Sequence, residues 1–131
     1  MPTFSKRSKD NLATADERLQ LLFNEVIKGF DCIVIEGHRS VERQNKLYKK
    51  GFSKLDGINK KSKHNYSPSL AVDVVPYPID WQDTNRMYYF GGYVKGVAER
   101  LGLKIRWGGD WDNDTKVNDH RFIDLPHFEL C

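Results

Sequence analysis

The sequence predicts an α+β domain: a small, mostly antiparallel sheet packed with two or three helices. Three observations carry this. Apolar residues recur at helical spacing in two stretches, one after Thr14 and one after Asp83. Short β-branched or alternating runs lie between and beyond them, at Cys32-Ile33-Val34-Ile35, Leu70-Ala71-Val72-Asp73-Val74-Val75 and Leu103 to Trp107. At 131 residues the expectation is a single domain, 1–131, that buries roughly two thirds of its unfolded surface without staples.

Composition narrows the class. Hydrophobic residues make up 39% and charged residues 30%, as in soluble globular proteins. No apolar run approaches the roughly 18 residues that would span a membrane. The start, Met1 to Asp10, is basic and polar but lacks a following apolar core, so no secretory signal is read and synthesis in a cytoplasm is expected. Cys32 opens an apolar run and reads as a buried thiol, whereas Cys131 reads as exposed. The net charge of +3 is mild and favours approach to an anionic surface. Its densest run, Lys60-Lys61-Ser62-Lys63, reads as a solvated loop. Nucleic acid and stable membrane association are not expected, and with no partner surface signalled, a monomer is.

The elements follow in order. Thr14-Ala15-Asp16-Glu17 reads as a capping box. Leu19, Leu22, Phe23, Val26 and Ile27 then mark a core-facing helix that Gly29 ends. Cys32 to Ile35 reads as a buried strand. Ser40 caps a second helix, Val41 to about Lys50, with Val41, Gln44, Leu47 and Tyr48 along one side. Arg39 therefore lies between a strand end and a helix start, where a charged side chain can project into a cleft. Phe52 to Lys63 reads as a loop. In the strand Leu70 to Val75, Ala71, Asp73 and Val75 share one face. A carboxylate inside so apolar a strand is costly unless it is paired or binds a metal.

Pro76 and Pro78 end that strand. Asp83 to Leu101 reads as a helix, with Gly91, Gly92 and Gly96 permitting close packing on the sheet. Leu103, Ile105 and Trp107 alternate with Lys104 and Arg106 as an amphipathic strand. Asp112-Asn113-Asp114-Thr115 is an acidic loop able to attract a regulatory calcium ion, although it lacks the EF-hand spacing. His127 to Leu130 reads as a short closing strand.

Four histidines are present. His38 and His120 have no partners at ligand spacing and read as structural or surface residues. His64 and His127 are accompanied by Asp73 and Asp124. Two imidazoles and one carboxylate can hold zinc and leave a fourth position open.

Ser62-Lys63-His64, Ala71-Val72-Asp73 and the closing Asp124-Leu125-Pro126-His127 resemble the zinc peptidases of the D-alanyl-D-alanine carboxypeptidase/L-alanyl-D-glutamate peptidase family. Gly37-His38-Arg39-Ser40, Ile79-Asp80-Trp81, Arg106 to Trp111 and His127-Phe128-Glu129-Leu130 extend the likeness over most of the chain, which looks most like the small phage endolysins. The resemblance implies a Hedgehog/D,D-peptidase-like zinc peptidase fold with the metal in a cleft at one side. It implies His64, Asp73 and His127 as zinc ligands, Asp124 as general base or acid, and Arg39 as the group steadying the polarised carbonyl oxygen. Ser62 would support the first ligand or touch substrate, and Glu129, a rival base by its position, would act behind His127.

The implied activity is cleavage of the L-alanyl-D-glutamate bond in peptidoglycan stem peptides during phage lysis. It would come from one peptidase domain without a separate wall-binding domain, passing from the host cytoplasm to the wall. The same zinc set serves a D-alanyl-D-alanine carboxypeptidase, and a non-catalytic wall-binding domain is a further alternative. Two departures stand out: the family spaces its ligands His-x6-Asp with Gly four before the Asp, whereas here the spacing is His-x8-Asp, and Ser69 stands at the Gly position. Asn65-Tyr66-Ser67-Pro68 thus holds a two-residue insertion, which a loop absorbs cheaply.

Overall fold

The computed structural model describes residues 2–117 and 123–131, so His120 and Phe122 lie outside the described residues. In chain order the elements are α1 (Lys6–Ala13), α2 (Glu17–Gly29), β1 (Cys32–Glu36), α3 (Val41–Lys49), a 3-10 turn (Lys63–Asn65), β2 (Ala71–Pro76), α4 (Thr84–Arg100), β3 (Ile105–Gly108) and β4 (Asp124–Leu130). The strands form one sheet in the order β1-β2-β4-β3, and each neighbouring pair is antiparallel. The α+β expectation holds, with four α-helices among the described residues where the sequence pattern predicts two or three.

The additional helix is α1. Only Ser8 and Leu12 are buried along it, so it carries no apolar stripe to betray it. Its work is polar. Ser8 Oγ accepts from the Val34 amide at 3.1 Å, and Asn11 Nδ2 donates to the Val34 carbonyl at 2.9 Å. These bonds engage the free edge of β1, which would otherwise be open to another strand. The predicted capping box is corrected as well. Asp16, not Thr14, caps α2, accepting from the Arg18 amide at 2.9 Å. Thr14 instead closes α1: its hydroxyl donates to the Asn11 carbonyl and accepts from the His38 amide.

The core lies on one face of the sheet. There α2 buries Leu19, Leu22, Phe23, Val26 and Ile27, and α4 buries Phe90, Val94, Val97 and Ala98. Both helices close on Phe128, whose ring meets Phe23 edge-on at 5.5 Å and Phe90 at 6.0 Å. Trp107 stacks on the same ring at 6.3 Å. Of the three glycines expected to permit close packing, only Gly91 does so, because a Cβ there would collide with the Trp107 indole, whereas one at Gly92 or Gly96 would meet open space. By contrast α3 buries only Gln44; Val41 and Tyr48, placed on the same side by the sequence pattern, are exposed.

Two irregularities in strand register aim side chains at the opposite face. In β1 the register shifts between Val34 and Glu36: Val34 pairs with Val74, but Glu36 pairs with Asp73. This bulge turns Glu36 away from the core face that strict alternation would give it. In β4, Trp107 pairs with Phe128 while Gly108 pairs with Asp124. The strand thus begins at Asp124 rather than His127, and Pro126, which has no amide to donate, sits within the irregular stretch.

Candidate metal centre and its cleft

The polar face of the sheet is assembled by pairing. Asp73 lies opposite His127 across β2 and β4, Ala71 lies opposite Glu129, and Glu129 lies opposite Arg106 across β4 and β3. Glu36 completes the row beside Asp73. A cleft of about 520 Å³ opens over this row, with Arg39, Ser62, His64, Trp111 and Asp124 also in its lining.

His64 reaches the row from the 3-10 turn. Ser62 caps that turn, its hydroxyl accepting from the His64 amide at 3.2 Å, while Asn65 Oδ1 accepts from the Ser62 amide at 2.8 Å. The His64 ring is buried, and its Nδ1–H donates to the Gly37 carbonyl at 2.7 Å. Gly37 itself presses against Asn11 and Thr14 so closely that a Cβ would collide with both. The Gly37 bond leaves Nε2 as the atom facing inward. Nε2 lies 3.2 Å from Asp73 Oδ1 and 3.2 Å from His127 Nδ1, and the third side, His127 Nδ1 to Asp73 Oδ1, is 3.4 Å. His64, Asp73 and His127 are thus brought together as a potential ion-holding group.

The neighbours of this trio fix its orientation. The Nε2–H of His127 donates to Glu129 Oε1 at 2.8 Å, so Nδ1 points at the cluster. Glu129 Oε2 accepts from Arg106 at 3.0 Å. Asp73 offers Oδ1 to the histidines and Oδ2 to Arg39 at 3.3 Å. Arg39 is held by two further acceptors, Glu36 at 2.7 Å and Gln44 at 2.8 Å, which engage three of its five N–H donors in all and leave two for another group.

The electrostatics suit a cation. Burial pushes the Asp73 carboxyl up, but hydrogen bonds from His127 and His64 outweigh it and hold Asp73 well below the usual carboxylate range. Burial pushes His127 down, yet its bonds to Asp73 and Glu129 win and raise it to about 9. A positive charge is therefore stabilised at the centre of the cluster. Asp124 behaves in the opposite way. Burial, and then the charge of Asp73, raise its pKa against the pull of His127, His64 and Arg39. A carboxylate held above its usual range is a better proton acceptor than one in open water.

Residues 2–131 match the family described as phage L-alanyl-D-glutamate peptidase. The chain belongs to that family. It is 34% identical over 116 residues to the peptidoglycan L-alanyl-D-glutamate endopeptidase CwlK of Bacillus subtilis, a match covering 79% of this chain and 62% of that protein. The chain thus spans under two thirds of that relative's length. The crystal structure of ChiX, an L-Ala D-Glu endopeptidase of Serratia marcescens, aligns with a TM-score of 0.76 at 27% identity, covering 98% of this chain and 89% of ChiX. The vancomycin-resistance D,D-pentapeptidase VanY, solved in complex with Zn(II), aligns with a TM-score of 0.50 at 20% identity over 87% of this chain and 68% of VanY; here the likeness is one of fold.

Against this family background, the sequence pattern passes over Glu36, Gln44 and the Gly37 carbonyl, which set the positions of Arg39 and His64. Gln44 carried a usable signal, since it is the polar member of an otherwise apolar helix side. His38 is exposed, in keeping with a surface role. The acidic loop brings Asp110, Asp112 and Asp114 together, but the Asp110 oxygens accept from the Asp114 and Thr115 amides, and the Lys95 ammonium lies 3.7 Å away. With a lysine already supplying positive charge there, the expectation of calcium at this loop has no support.

Proposed function

We propose that the chain is a zinc-dependent endopeptidase that hydrolyses the L-alanyl-D-glutamate bond of peptidoglycan stem peptides during phage lysis, acting as a monomer through one peptidase domain. The observation that carries this reading is the triangle of inward-facing atoms. Zinc–ligand bonds of about 2.0–2.1 Å in a tetrahedral site set ligand atoms about 3.3 Å apart. The separations among His64 Nε2, His127 Nδ1 and Asp73 Oδ1 are 3.2, 3.2 and 3.4 Å. Three protein ligands leave one tetrahedral position open, the arrangement of catalytic rather than structural zinc.

His64, Asp73 and His127 would hold the metal. Zinc, when bound, supplies a Lewis acid that polarises the scissile carbonyl and lowers the pKa of water. Asp124 takes the proton of the attacking water and returns it to the leaving amine, a role favoured by its raised pKa. Arg39 directs its remaining N–H groups at the carbonyl oxygen as negative charge develops there. Ser62 positions His64 through the backbone of the 3-10 turn. Glu129 orients His127, and with one oxygen on His127 and the other on Arg106 it is poorly placed to act as the base.

The deciding experiment is mass spectrometry of purified peptidoglycan after incubation with zinc-loaded protein, with His64→Ala as control. A new free amine on D-glutamate, absent with the variant, is the expected result. Release of terminal D-alanine alone would move the assignment to a carboxypeptidase, and no cleavage with zinc bound would leave a wall-binding domain.

A further inference from the structure

The mild net charge of the chain conceals a strong asymmetry. Between residues 46 and 63 lie seven of its 21 Lys/Arg and one of its 18 Asp/Glu, so this stretch carries +6 and the remaining residues −3. It runs from the last turns of α3 to the 3-10 turn that carries His64, and Leu47, Phe52, Ser53, Lys54, Leu55 and Lys61 of this stretch line the cleft. Three of its lysines, Lys54, Lys61 and Lys63, therefore stand in the wall of the candidate active site, and the other four lie along the same stretch outside that lining.

The wall is built, not merely solvated. Buried Gln44 donates to Ser53 Oγ at 2.8 Å and to the Leu55 carbonyl at 2.7 Å, while its own oxygen accepts from Arg39. Asp56, the stretch's one acid, accepts from the amides of Ile58, Asn59 and Lys60 at 2.9, 2.9 and 2.8 Å. Its carboxylate closes the loop on itself through these three bonds. Gly57, at φ +79° and pressed on Gln44, completes the turn. On this hydrogen-bonded frame Lys49, Lys50, Lys60 and Lys61 are exposed, and so are two large apolar side chains, Phe52 at 72% and Ile58 at 68%. Phe52, which also lines the cleft, and Ile58 thus offer apolar contact beside the cations.

We infer that this stretch is the surface on which the anionic cell-wall polymer is held while one of its stem peptides enters the cleft. The inference rests on the peptidase reading above and adds the means by which an insoluble substrate is retained. Glutamate has two carboxyl groups beyond the bond cleaved at its amine, and at most one of them continues the peptide chain. A polymer of such stems is a polyanion at neutral pH, complementary to a stretch of +6. Phe52 and Ile58 meet its apolar carbons.

The test is co-sedimentation of the full chain with purified insoluble peptidoglycan, in an Asp124→Asn background, with peptide release assayed separately on the chain that keeps Asp124. Lys49, Lys50 and Lys60 are changed together to Gln. A matched control changes three exposed lysines elsewhere, Lys6, Lys9 and Lys28. The expected result is binding about tenfold weaker for the first triple variant at about 0.05 M salt, a difference that shrinks towards nothing at about 0.5 M, with little change in the control. Equal losses in both variants would reduce the effect to net charge and overturn the inference, as would unchanged binding in the first. Tighter capture by anionic lipid vesicles than by peptidoglycan would also overturn it, giving the surface to a membrane. Binding is read without turnover, so a failed peptidase assay and a failed binding assay stay separate.

Discussion

Along β4, Phe128 and Leu130 belong to the hydrophobic core, whereas His127 and Glu129 between and beside them line the cleft. β2 behaves alike, with Val72 and Val74 in the core and Asp73 in the cleft between them. The same strands thus build two faces with different physics. The core face is held by apolar area and ring packing, which tolerate small shifts. The cleft face is held by a chain of charged hydrogen bonds from Arg43 through Glu36, Arg39 and Asp73 to His127, Glu129 and Arg106, in which each group has a specified partner. One face supplies stability and the other supplies position, and substitutions one residue apart should separate them.

The largest effect is expected on activity alone. Asp124→Asn keeps the shape but removes the proton acceptor, so kcat/KM should fall about 10²–10⁴-fold. Zinc content and the unfolding midpoint should stay near wild type. Retained activity with zinc bound would remove Asp124 from the mechanism. Next comes stability alone. Phe128→Ala empties the point where α2, α4 and Trp107 converge and should cost about 3–5 kcal/mol in denaturant unfolding. A loss below about 1 kcal/mol would mean that the core collapses around the gap and that Phe128 is not its keystone.

A subtler substitution probes the join between the faces. Glu129→Gln keeps an acceptor for His127 but removes the charge that raises the basicity of the ring. Zinc affinity should weaken about 10–100-fold in a chelator competition, with stability less affected than in Phe128→Ala. Unchanged affinity would show that Glu129 serves Arg106 and the fold rather than the metal.

How much of this was legible in the sequence follows from the same division. The core face announces itself: β-branched runs and helical spacing locate α2, β1, β2 and α4, because burial demands apolar residues at fixed periods. Asp73 is conspicuous for breaking such a run. The supporting groups are not. Glu36 reaches the cleft face only through a register shift after Val34 that no residue type signals. The Gly37 carbonyl that orients His64 is backbone and leaves no mark on composition. α1 works through Ser8 and Asn11 on a strand edge, so it has no periodic stripe to detect. The lysine run is plain to read, but its place beside the cleft depends on how Gln44 folds the loop.

The smallest expected effect concerns pH and the outer end of the charged chain. Burial would raise the Glu36 carboxyl, but hydrogen bonds from Arg43 and Arg39 outweigh it and lower its pKa from the ordinary 4.5. A folded pKa below the unfolded one means that the native state binds its proton less readily than the unfolded chain does. The contribution to stability is therefore complete above about 4.5 and is lost as pH falls through the folded value. Glu36→Gln removes the charge and keeps an acceptor, so near neutral pH it should destabilise by about 1 kcal/mol. Measured in denaturant across pH, the gap between wild type and variant should be full at pH 7 and close as the carboxylate takes up its proton in acid. A gap that persists undiminished in strong acid would locate the cost of the substitution in packing. The Arg39–Glu36–Arg43 linkage would then be a matter of shape, and the division between a face held by area and a face held by charge would have to move inward, to Asp73.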